Sequence, residues 1–434
     1  MNSHSLSRRK FLTDTAAAVA APLIVSSCVL GREGATPPSE RITFAGIGLR
    51  GRGFHDLRWL MSKEGVQFLA ICDVQRVERQ KIKRHVDKVY DNKDCAMYMD
   101  MREMLAERDD IDAVLIATGD RWHAPASVLA MRAGKDVFTE KPSSMTVEEG
   151  RAVVETAKEH GQIYQTGTQR LSEAHHVFCY EMVRSGRMGD VHTAYAHIAP
   201  WNTAKMKRNL LPAQKEPEKE VVDWDAWLGP CPWRPYNEKY VKGEWRGDYD
   251  FHTSCIGEWG AHTFAQAQFG LELSDTSPVK YEYVDNDSGD GMVCTFANGQ
   301  KLVLSRGDTY WHGPCGARFD SERGWVAAAD GYTRAEASSP ELLEEYELVI
   351  KEYAEKTGRS LDHMQNFLDC VRSREQTVAN PSVMHHSMTT VHCANIAMWL
   401  ERDMEFDPET ETFVGDDEAN ALLSREKREP WDII

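Results

Sequence analysis

The feature that most constrains the fold lies at residues 43–74, where a glycine-rich turn joins an apolar strand to a helix. Glycines stand at positions 46, 48 and 51, and an aspartate follows a second apolar strand at position 73. In a dinucleotide-binding βαβ unit the first glycine permits a tight turn, the second lets the backbone approach a pyrophosphate, and the third lets the helix pack on the strand. Asp73 stands where a carboxylate accepts ribose hydroxyls. The stretch therefore predicts dinucleotide binding, the alternative being a glycine-rich turn in another α/β protein.

Short apolar strands alternate with helical stretches from residue 41 to about 165. The run 111–117 is apolar nearly throughout, which is typical of a parallel strand covered on both faces. Thr146 followed by Glu149 predicts a capping box at the start of a helix that Gly161 ends. We therefore predict an N-terminal Rossmann domain at 41–165, with a doubly wound parallel sheet.

The second half of the chain has a different pattern. Strands are predicted at 279–284, 291–296 and 301–305, and Asn-Gly between the last two is a strong hairpin signal. Residues 336–351 are acidic and predicted helical, and amphipathic helices are predicted at 363–371 and 385–399. Residues 166–434 are therefore expected to form an α+β domain with an open, mainly antiparallel sheet.

The first 27 residues carry the marks of an export signal. Arg8 and Arg9 precede an alanine-rich apolar stretch, which resembles a twin-arginine signal. Small residues before Cys28 resemble a lipoprotein processing site, so we expect a periplasmic protein anchored to the membrane through Cys28, with 28–40 as a tether. The alternative is a basic disordered tail. Twin-arginine export moves folded proteins, so a bound dinucleotide would travel with the enzyme.

Charge and cysteine usage exclude other classes. The formal net charge of −17 argues against a nucleic-acid partner, because phosphate contacts need clustered Lys and Arg. No apolar run reaches the roughly 18 residues of a membrane-spanning helix. The chain has 10 cysteines and no Cys-x-x-Cys, and the nine after Cys28 sit mostly among apolar residues. They are predicted to be buried free thiols, although one or two bridges are compatible with the count.

Lys141 is the first candidate catalytic residue. It belongs to Thr-Glu-Lys-Pro at 139–142, directly after a predicted strand, and open α/β sheets bind ligands at the carboxyl ends of their strands. Its ammonium group can hydrogen-bond a substrate hydroxyl and stabilise alkoxide character as a hydride leaves. The alternative is a surface lysine beside a turn.

Glu258 and His262 form the second candidate pair. They are four residues apart, so on a helix both face one side. A histidine is a natural base for a hydroxyl proton, and Glu258 could orient it or contact substrate. No third ligand is signalled near the pair, so a metal is not predicted. A structural histidine is the alternative.

Tryptophans are concentrated in the loop-like stretch 199–250. Long aromatic loops often line carbohydrate-sized pockets because sugar C–H faces stack on rings. The side chains of this group are expected either to contact substrate or to pack the loops, and the sequence does not separate the two alternatives. The group consists of Trp201, Trp224, Trp227, Trp233 and Trp245.

Taken together, these motifs resemble the Gfo/Idh/MocA family of glucose–fructose oxidoreductase and inositol dehydrogenase relatives, in an exported bacterial branch. The resemblance covers residues 41–434. The matching segments are Gly-Ile-Gly-Leu-Arg-Gly at 46–51, Cys-Asp-Val at 72–74, Ala-Thr-Gly-Asp-Arg-Trp-His at 117–123, Glu-Lys-Pro at 140–142, Gly-Ala-His at 260–262, and the stretches 165–170, 224–229 and 428–431.

The resemblance implies a tightly held dinucleotide in the N-terminal domain and a C-terminal domain that often mediates homo-oligomers. Asp73 favours NAD over NADP, because a carboxylate repels a 2′-phosphate. The candidate cofactor-binding residues are Gly46, Gly48, Leu49, Arg50, Gly51, Asp73, Thr118, His123, Glu140 and Lys141.

In that family the Lys of Glu-Lys-Pro and a His of an Asp-x-x-x-His motif act at the substrate carbinol, and they match Lys141 and His262. The chain departs from the motif because Glu258 replaces the aspartate, so its role is less constrained. The candidate substrate-binding residues are Gln169, Arg170, Trp245, Arg246 and His262.

Three functions follow as hypotheses. The first is an NAD-dependent oxidoreductase acting on a sugar or glycoside hydroxyl, with cofactor reoxidised in place. The second is a glycosidase or lyase of the same fold that oxidises its substrate transiently and cleaves it by elimination. The third is a lipid-anchored binding protein without catalysis, which the intact Glu140-Lys141-Pro142 and His262 disfavour.

Overall fold

The computed structural model describes residues 37–198, 207–286, 289–305, 315–330 and 334–434. The predicted export signal and Trp201 lie outside these residues. Within the described ranges, no helix combines the length and the apolar character needed to cross a membrane.

The first sheet is parallel throughout and, in the described part of the chain, has six strands in the order β3-β2-β1-β4-β5-β6. This order confirms the predicted doubly wound sheet, and its direction reverses between β1 and β4, where such sheets bind ligands. The prediction missed β3, which is only three residues long. The strands are β1 (Ile42–Ile47), β2 (Val66–Cys72), β3 (Ala96–Tyr98), β4 (Ala113–Ile116), β5 (Asp136–Thr139) and β6 (Tyr164–Thr166).

The helices that cover this sheet begin where the sequence places their caps. The Thr146 hydroxyl accepts a hydrogen bond from the Glu149 amide at 3.2 Å, and Gly161 ends the helix with φ of 67°. The Glu149 carboxylate accepts from the Met145 amide, one residue before the position that a capping box uses. The helices are α1 (Arg52–Met61), α2 (Arg76–Tyr90), α3 (Met101–Glu107), α4 (Asp120–Arg132) and α5 (Val147–His160).

The second sheet is mostly antiparallel, and the strands described in it run β13-β12-β11-β7-β10-β9-β8-β14-β15. The exception is the pair β7 and β10, which is parallel. β11 was not predicted. The strands are β7 (Val191–Ile198), β8 (Lys280–Asn286), β9 (Gly289–Thr295), β10 (Lys301–Ser305), β11 (Cys315–Ser321), β12 (Gly324–Ala329), β13 (Glu336–Ala337), β14 (Met404–Asp407) and β15 (Thr412–Phe413).

Seven further helices are described in the second half of the chain. The prediction of a continuous helix at 336–351 was wrong, because β13 and a short 3-10 turn precede a helix that begins at Tyr346. The helices are α6 (Ala174–Arg184), α7 (Trp224–Leu228), α8 (Ser254–Gly270), α9 (Tyr346–Thr357), α10 (His363–Ser373), α11 (Pro381–Leu400) and α12 (Asp417–Asn420). Among them, α6, α8 and α11 pack against this second sheet.

Two segments from the second half of the chain pack against the domain that contains the first sheet. Phe367 of α10 packs on Phe44 and Phe138, with ring centroids 6.3 and 5.7 Å apart. Near the C-terminus, Trp431 packs edge-on against Trp122 at 5.4 Å. The core of the parallel sheet therefore includes residues from the second half of the sequence.

The cysteines that the sequence places among apolar residues are buried free thiols, as predicted. They lie at positions 72, 95, 179, 231, 294, 315, 370 and 393. Burial raises the pKa of the Cys95 thiol to about 12, so it remains protonated and unreactive at neutral pH.

Candidate active site

A cleft of about 520 Å³ lies at the carboxyl ends of the parallel strands, between the first sheet and α8. Its walls bring together most of the predicted site residues. Gly46 and Leu49 do not line it, because Leu49 is buried and packs against Gly46. The predicted residues that do line it are Gly48, Arg50, Gly51, Asp73, Thr118, His123, Glu140, Lys141, Gln169, Arg170, Trp245, Arg246, Glu258 and His262.

The glycine-rich turn fits a dinucleotide at one end of this cleft. Gly48 has φ of +68°, and a Cβ on it would lie 2.5 Å from the Thr118 methyl carbon. Gly51 also has positive φ, at +56°, but a Cβ there would meet no atom within 4 Å. The close approach of helix to sheet occurs at Gly53, whose Cβ would lie 2.5 Å from that of Ala117. The packing role assigned to Gly51 was therefore wrong.

Asp73 lies at the end of β2 and faces the same part of the cleft. Its Oδ1 accepts a hydrogen bond from the Gln75 amide at 2.8 Å, and burial raises the pKa of the carboxyl to about 7. A buried carboxylate in this place has acceptor capacity for a ribose diol. Together with the backbone cradle at Gly48, it makes the site suitable for an adenine dinucleotide.

The stretch 207–253 covers this end of the cleft. The Asp223 amide donates to the Val74 carbonyl at 3.1 Å, and the Arg76 amide donates to the Val221 carbonyl at 3.0 Å. Arg50 donates from Nη1 to the Val241 carbonyl at 2.6 Å. These bonds hold a roof over the nucleotide end, which favours slow release of a bound cofactor.

The tryptophans of this stretch divide between packing and the cleft. Trp224 is buried and stacks on Trp227 at 4.8 Å, so loop packing accounts for Trp224. Trp227 and Trp245 line the cleft. Trp233 is 62% exposed, away from the cleft lining.

Lys141 and α8 meet at the other end of the cleft. Lys141 donates from Nζ to the Glu258 carbonyl at 3.0 Å, and Nζ lies 3.7 Å from Glu258 Oε1. The ammonium also lies over the Trp259 ring, 5.3 Å from its centroid. These contacts make Lys141 a fixed cation inside the cleft, and not the surface lysine of the alternative interpretation.

Glu258 is held ionised by its partners. Its Oε2 lies 3.3 Å from His252 Nε2, and this hydrogen bond, together with the charge of Lys141, lowers the pKa of Glu258 to about 2. The carboxyl group therefore accepts hydrogen bonds and does not donate a proton at neutral pH. His252 was missed by sequence reasoning, because it lies in the loop before α8 without a motif of its own.

His262 lies one turn further along α8 and is 3% exposed. Burial lowers its pKa well below the usual value, and the charges of Arg170, Lys141 and Arg52 lower it further. Among the described residues, its Nδ1 has no hydrogen-bond partner. The ring is therefore neutral at physiological pH and able to accept a proton.

Arg170 forms an ion pair at the substrate end of the cleft, and this ion pair was not predicted from the sequence. It reaches Asp330 with both arms of its guanidinium, Nε lying 2.6 Å from Oδ1. Asp330 follows β12 and lines the cleft as well. Nη1 of Arg170 is buried without a hydrogen-bond partner among the described residues, so it can donate to a substrate oxygen.

Glu140 is part of a buried acidic pair. Asp56 is fully buried, and burial together with the neighbouring Glu140 raises the pKa of Asp56 to about 8. Arg52 Nε lies 3.0 Å from Asp56 Oδ1 and 3.5 Å from Glu140 Oε1. A Cβ on Gly167 would lie 2.2 Å from Glu140 Oε1, so Gly167 makes room for this pair.

His123 ties two cleft loops together. Its Nδ1 lies 2.8 Å from the Pro142 carbonyl, and its Nε2 lies 3.2 Å from the Thr118 carbonyl. It thereby positions the turn after β4 and the segment that carries Lys141. Asp120 acts in a similar way from the start of α4, because its carboxylate accepts from the amide and the hydroxyl of Thr253.

The profile described as "Oxidoreductase family, NAD-binding Rossmann fold" matches residues 41–168, and the profile described as "Oxidoreductase family, C-terminal alpha/beta domain" matches residues 190–433. The chain belongs to the Gfo/Idh/MocA oxidoreductase family, whose N-terminal domain is an NAD-binding Rossmann domain.

Curated relatives are similar over part of their length. An alpha-N-acetylgalactosaminidase from Shewanella oneidensis is 30% identical over 224 residues, which are 46% of this chain and 48% of the relative. A glycosyl hydrolase family 109 protein from Shewanella sp. strain ANA-3 gives the same figures. The chain thus spans about half the length of the curated relatives it matches.

Solved structures share the fold at low identity. A myo-inositol 2-dehydrogenase from Lactobacillus plantarum aligns with TM-score 0.57 and 15% identity, covering 85% of this chain and 100% of that one. The WlbA dehydrogenase from Chromobacterium violaceum, in complex with NADH and UDP-GlcNAcA, aligns with TM-score 0.61 and 14% identity, covering 85% and 96%.

Proposed function

We propose that this protein is an NAD-dependent oxidoreductase that acts on a hydroxyl group of a sugar or glycoside. The observation that carries the proposal is the meeting of Lys141 and His262 in the cleft whose other end is the NAD-binding turn. A cation and a neutral base within one enclosed site are what the removal of a hydride and a proton from a carbinol requires.

Bound in the cleft, NAD⁺ supplies a hydride acceptor. His262 accepts the proton of the substrate hydroxyl on its neutral ring; burial makes it a weak base, so the transfer depends on Lys141 stabilising the charge that develops on the same oxygen. Lys141 donates a hydrogen bond to the same oxygen as negative charge develops there. Glu258 holds the ammonium in place through its carbonyl and its ionised carboxylate.

The roof over the nucleotide end supports retention of the cofactor between turnovers. A retained cofactor must be reoxidised in place, either by a second substrate or by return of the hydride to the product of the first. These routes correspond to net oxidation and to transient oxidation respectively.

Glycoside cleavage is the second candidate, and it is favoured by the names of the curated relatives. In this route a ring hydroxyl is oxidised to a ketone, which acidifies the adjacent C–H. Loss of that proton would expel the aglycone by elimination, and water would add to the resulting alkene; a bound dinucleotide would supply the hydride acceptor and donor, while His262 and Lys141 would act at the oxidised hydroxyl. The cofactor ends unchanged, and the net reaction is hydrolysis.

The same proposal includes the location of the enzyme. The paired arginines and the small residues before Cys28 support twin-arginine export to the periplasm with a lipid anchor. Retention of NAD fits this location, because free dinucleotide is scarce there. The open sheet of the C-terminal domain supports a homo-oligomer, and mass photometry of the exported protein would test this.

The experiment uses the full chain purified without added cofactor. Mass spectrometry of the denatured protein should identify NAD, and a panel of glycosides should then separate the two reactions. A keto-sugar with reduced nicotinamide supports net oxidation, whereas free aglycone with unchanged NAD supports cleavage. Absence of dinucleotide together with no turnover of any glycoside would contradict both candidates and favour a binding protein.

A further inference from the structure

Outside the cleft, one group of potential metal ligands stands out in the described part of the chain. Glu173, His175 and His176 offer ligand atoms that all lie within 4.8 Å of one another. The three residues occupy the start of α6, directly after the turn that carries Arg170. None of them lines the active-site cleft, so the proposed function does not use them.

His176 is the observation that points to a ligand. It is 2% exposed, and neither of its ring nitrogens makes a hydrogen bond of full geometry among the described residues, although the Gln266 side chain lies beside it. An imidazole buried in this way has lost its bonds to water. Its Nε2 lies 3.6 Å from the Glu173 carboxylate, beyond hydrogen-bond distance but within reach of a shared cation.

The other two side chains of the group, Glu173 and His175, have no role assigned to them elsewhere in the described part of the chain. Glu173 stands at the N-cap of α6, yet its side chain makes no capping hydrogen bond. The rings of His175 and His176 lie 4.3 Å apart, centroid to centroid. Glu173 and His175 are partly exposed, which leaves an entry path and a place for a water ligand.

A second histidine pair in the same protein shows the contrast. His385 and His386 have ring centroids 5.4 Å apart, but His385 is hydrogen-bonded to Glu411, which also pairs with Arg151. That carboxylate and that imidazole satisfy each other. In the Glu173 group the carboxylate and the His176 ring are 3.6 Å apart, so among the described residues these two do not satisfy each other in the same way.

We propose that Glu173, His175 and His176 bind a zinc ion. Two imidazoles and a carboxylate are ligands that zinc takes in tetrahedral sites, with water in the fourth position. Zinc binding would require the three ligand atoms, now within 4.8 Å of one another, to come to about 2 Å from a common centre. The nearby charge of Arg170 is compensated by Asp330, so it opposes the cation only weakly.

The zinc ion would stabilise the first turn of α6 and the preceding 3-10 turn at Gln169–Leu171. That turn carries Arg170 into the cleft. The role is structural and does not depend on the reaction that the cleft performs.

The test measures zinc itself. The full chain is stripped with a chelator and dialysed against Zn²⁺, and its zinc content is measured by mass spectrometry, with the affinity from competition against a chelating dye. We expect about one zinc per chain. His175→Asn and His176→Gln should each lower the affinity by more than about 100-fold, beyond the cost of losing an outer-shell partner.

His386→Asn is the matched control, since His386 is also the partly exposed member of a histidine pair, and it should bind zinc like the parent. Thermal unfolding in the absence of zinc should be similar for His175→Asn and the parent, and added zinc should stabilise only the parent. A parent with less than about 0.1 zinc per chain, or equal zinc affinity in the parent and both ligand variants, would overturn the proposal.

Discussion

The two ends of the cleft are built in different ways. The groups that recognise the nucleotide come from one contiguous stretch, in which Gly48 and Asp73 belong to the same βαβ unit, and residues 207–253 add only a roof. The chemical end is assembled from four separate places: the end of β5, the turn at 169–171, α8 and the residue after β12. The comparison shows that dinucleotide recognition is encoded locally, whereas the reacting groups depend on how the two domains pack.

The two ends also differ in electrostatics. At the nucleotide end, Asp73 is a carboxylate whose pKa is raised by burial. At the chemical end, the pKa values of Glu258 and His262 are both lowered. Burial disfavours the charged form of both Asp73 and His262, so the ends differ mainly in the His252 hydrogen bond and the Lys141 charge that keep Glu258 ionised.

The largest expected effect comes from the chemical end. His262→Gln removes the base while keeping a neutral side chain of similar size, so kcat should fall by about 10²–10⁴-fold. Bound NAD should be unchanged, which separates the two ends. Steady-state kinetics and cofactor content check this, with the exposed His192→Gln as control.

The same residue predicts the pH profile of the parent. Because the pKa of His262 is lowered well below 6.5, the base stays neutral as pH falls, and kcat/KM should not decline as pH drops from 8 to 6.5. A profile that falls by half at pH 6.5, together with a fully active His262→Gln variant, would remove the histidine from the mechanism.

The next effect tests the nucleotide end. Gly48→Ala places a Cβ against Thr118 in a left-handed backbone conformation, so it should cost about 3 kcal/mol of stability and abolish NAD retention. Gly51→Ala carries only the conformational cost of about 1 kcal/mol, because its Cβ meets open space. Thermal unfolding and NAD content compare the two variants. Equal losses in both would contradict the assignment of the close approach to Gly48.

A smaller effect is expected on the preference for NAD over NADP. Asp73→Asn removes the charge that accepts the ribose hydroxyls, so NAD affinity should fall about 10-fold. The affinity for NADP should rise, because a 2′-phosphate is no longer repelled. Calorimetric titration of the stripped protein with both cofactors measures the ratio. An unchanged preference would mean that Asp73 does not contact the ribose.

The last prediction concerns the pH dependence of stability at the buried pair of Asp56 and Glu140, of which only Glu140 lines the cleft. The pKa of Asp56 rises from 3.8 to about 8 on folding, so the native state holds a proton that the unfolded state releases. This contribution is fully present below about pH 4 and is lost as pH rises through about 8. Asp56→Asn should therefore flatten the dependence of the melting temperature on pH between 4 and 8. If the melting temperatures of the variant and the parent changed with pH in the same way, the raised pKa of Asp56 in the buried pair would be contradicted.

The parts of the fold that were predictable are those with strong local signals. The alternation of strands and helices, the caps at Thr146 and Gly161, and the hairpin at Asn298-Gly299 all follow from short-range rules. β3 was missed because three residues are too few to show a period. The helix predicted at 336–351 failed because edge pairing of β13 with β12 outweighed local helix propensity.

The residues of the candidate site were likewise predictable where a local sequence motif marks them. Lys141 and His262 were found because motifs mark them, and the structure places both in one cleft. Asp330 and His252 were missed because their roles arise only when distant segments pack together. Gly51 was misassigned because a spacing rule does not say which glycine lies against the sheet.

The most direct test of the central claim is a single-turnover measurement on the protein with its own bound NAD. A glycoside that the parent converts is mixed with excess enzyme, and nicotinamide reduction is followed by absorbance. Reduced nicotinamide should form together with a keto-sugar or before any free aglycone, and Lys141→Ala should slow its formation by about 100-fold or more. Conversion of the glycoside without nicotinamide reduction, or an equal rate in Lys141→Ala, would contradict it.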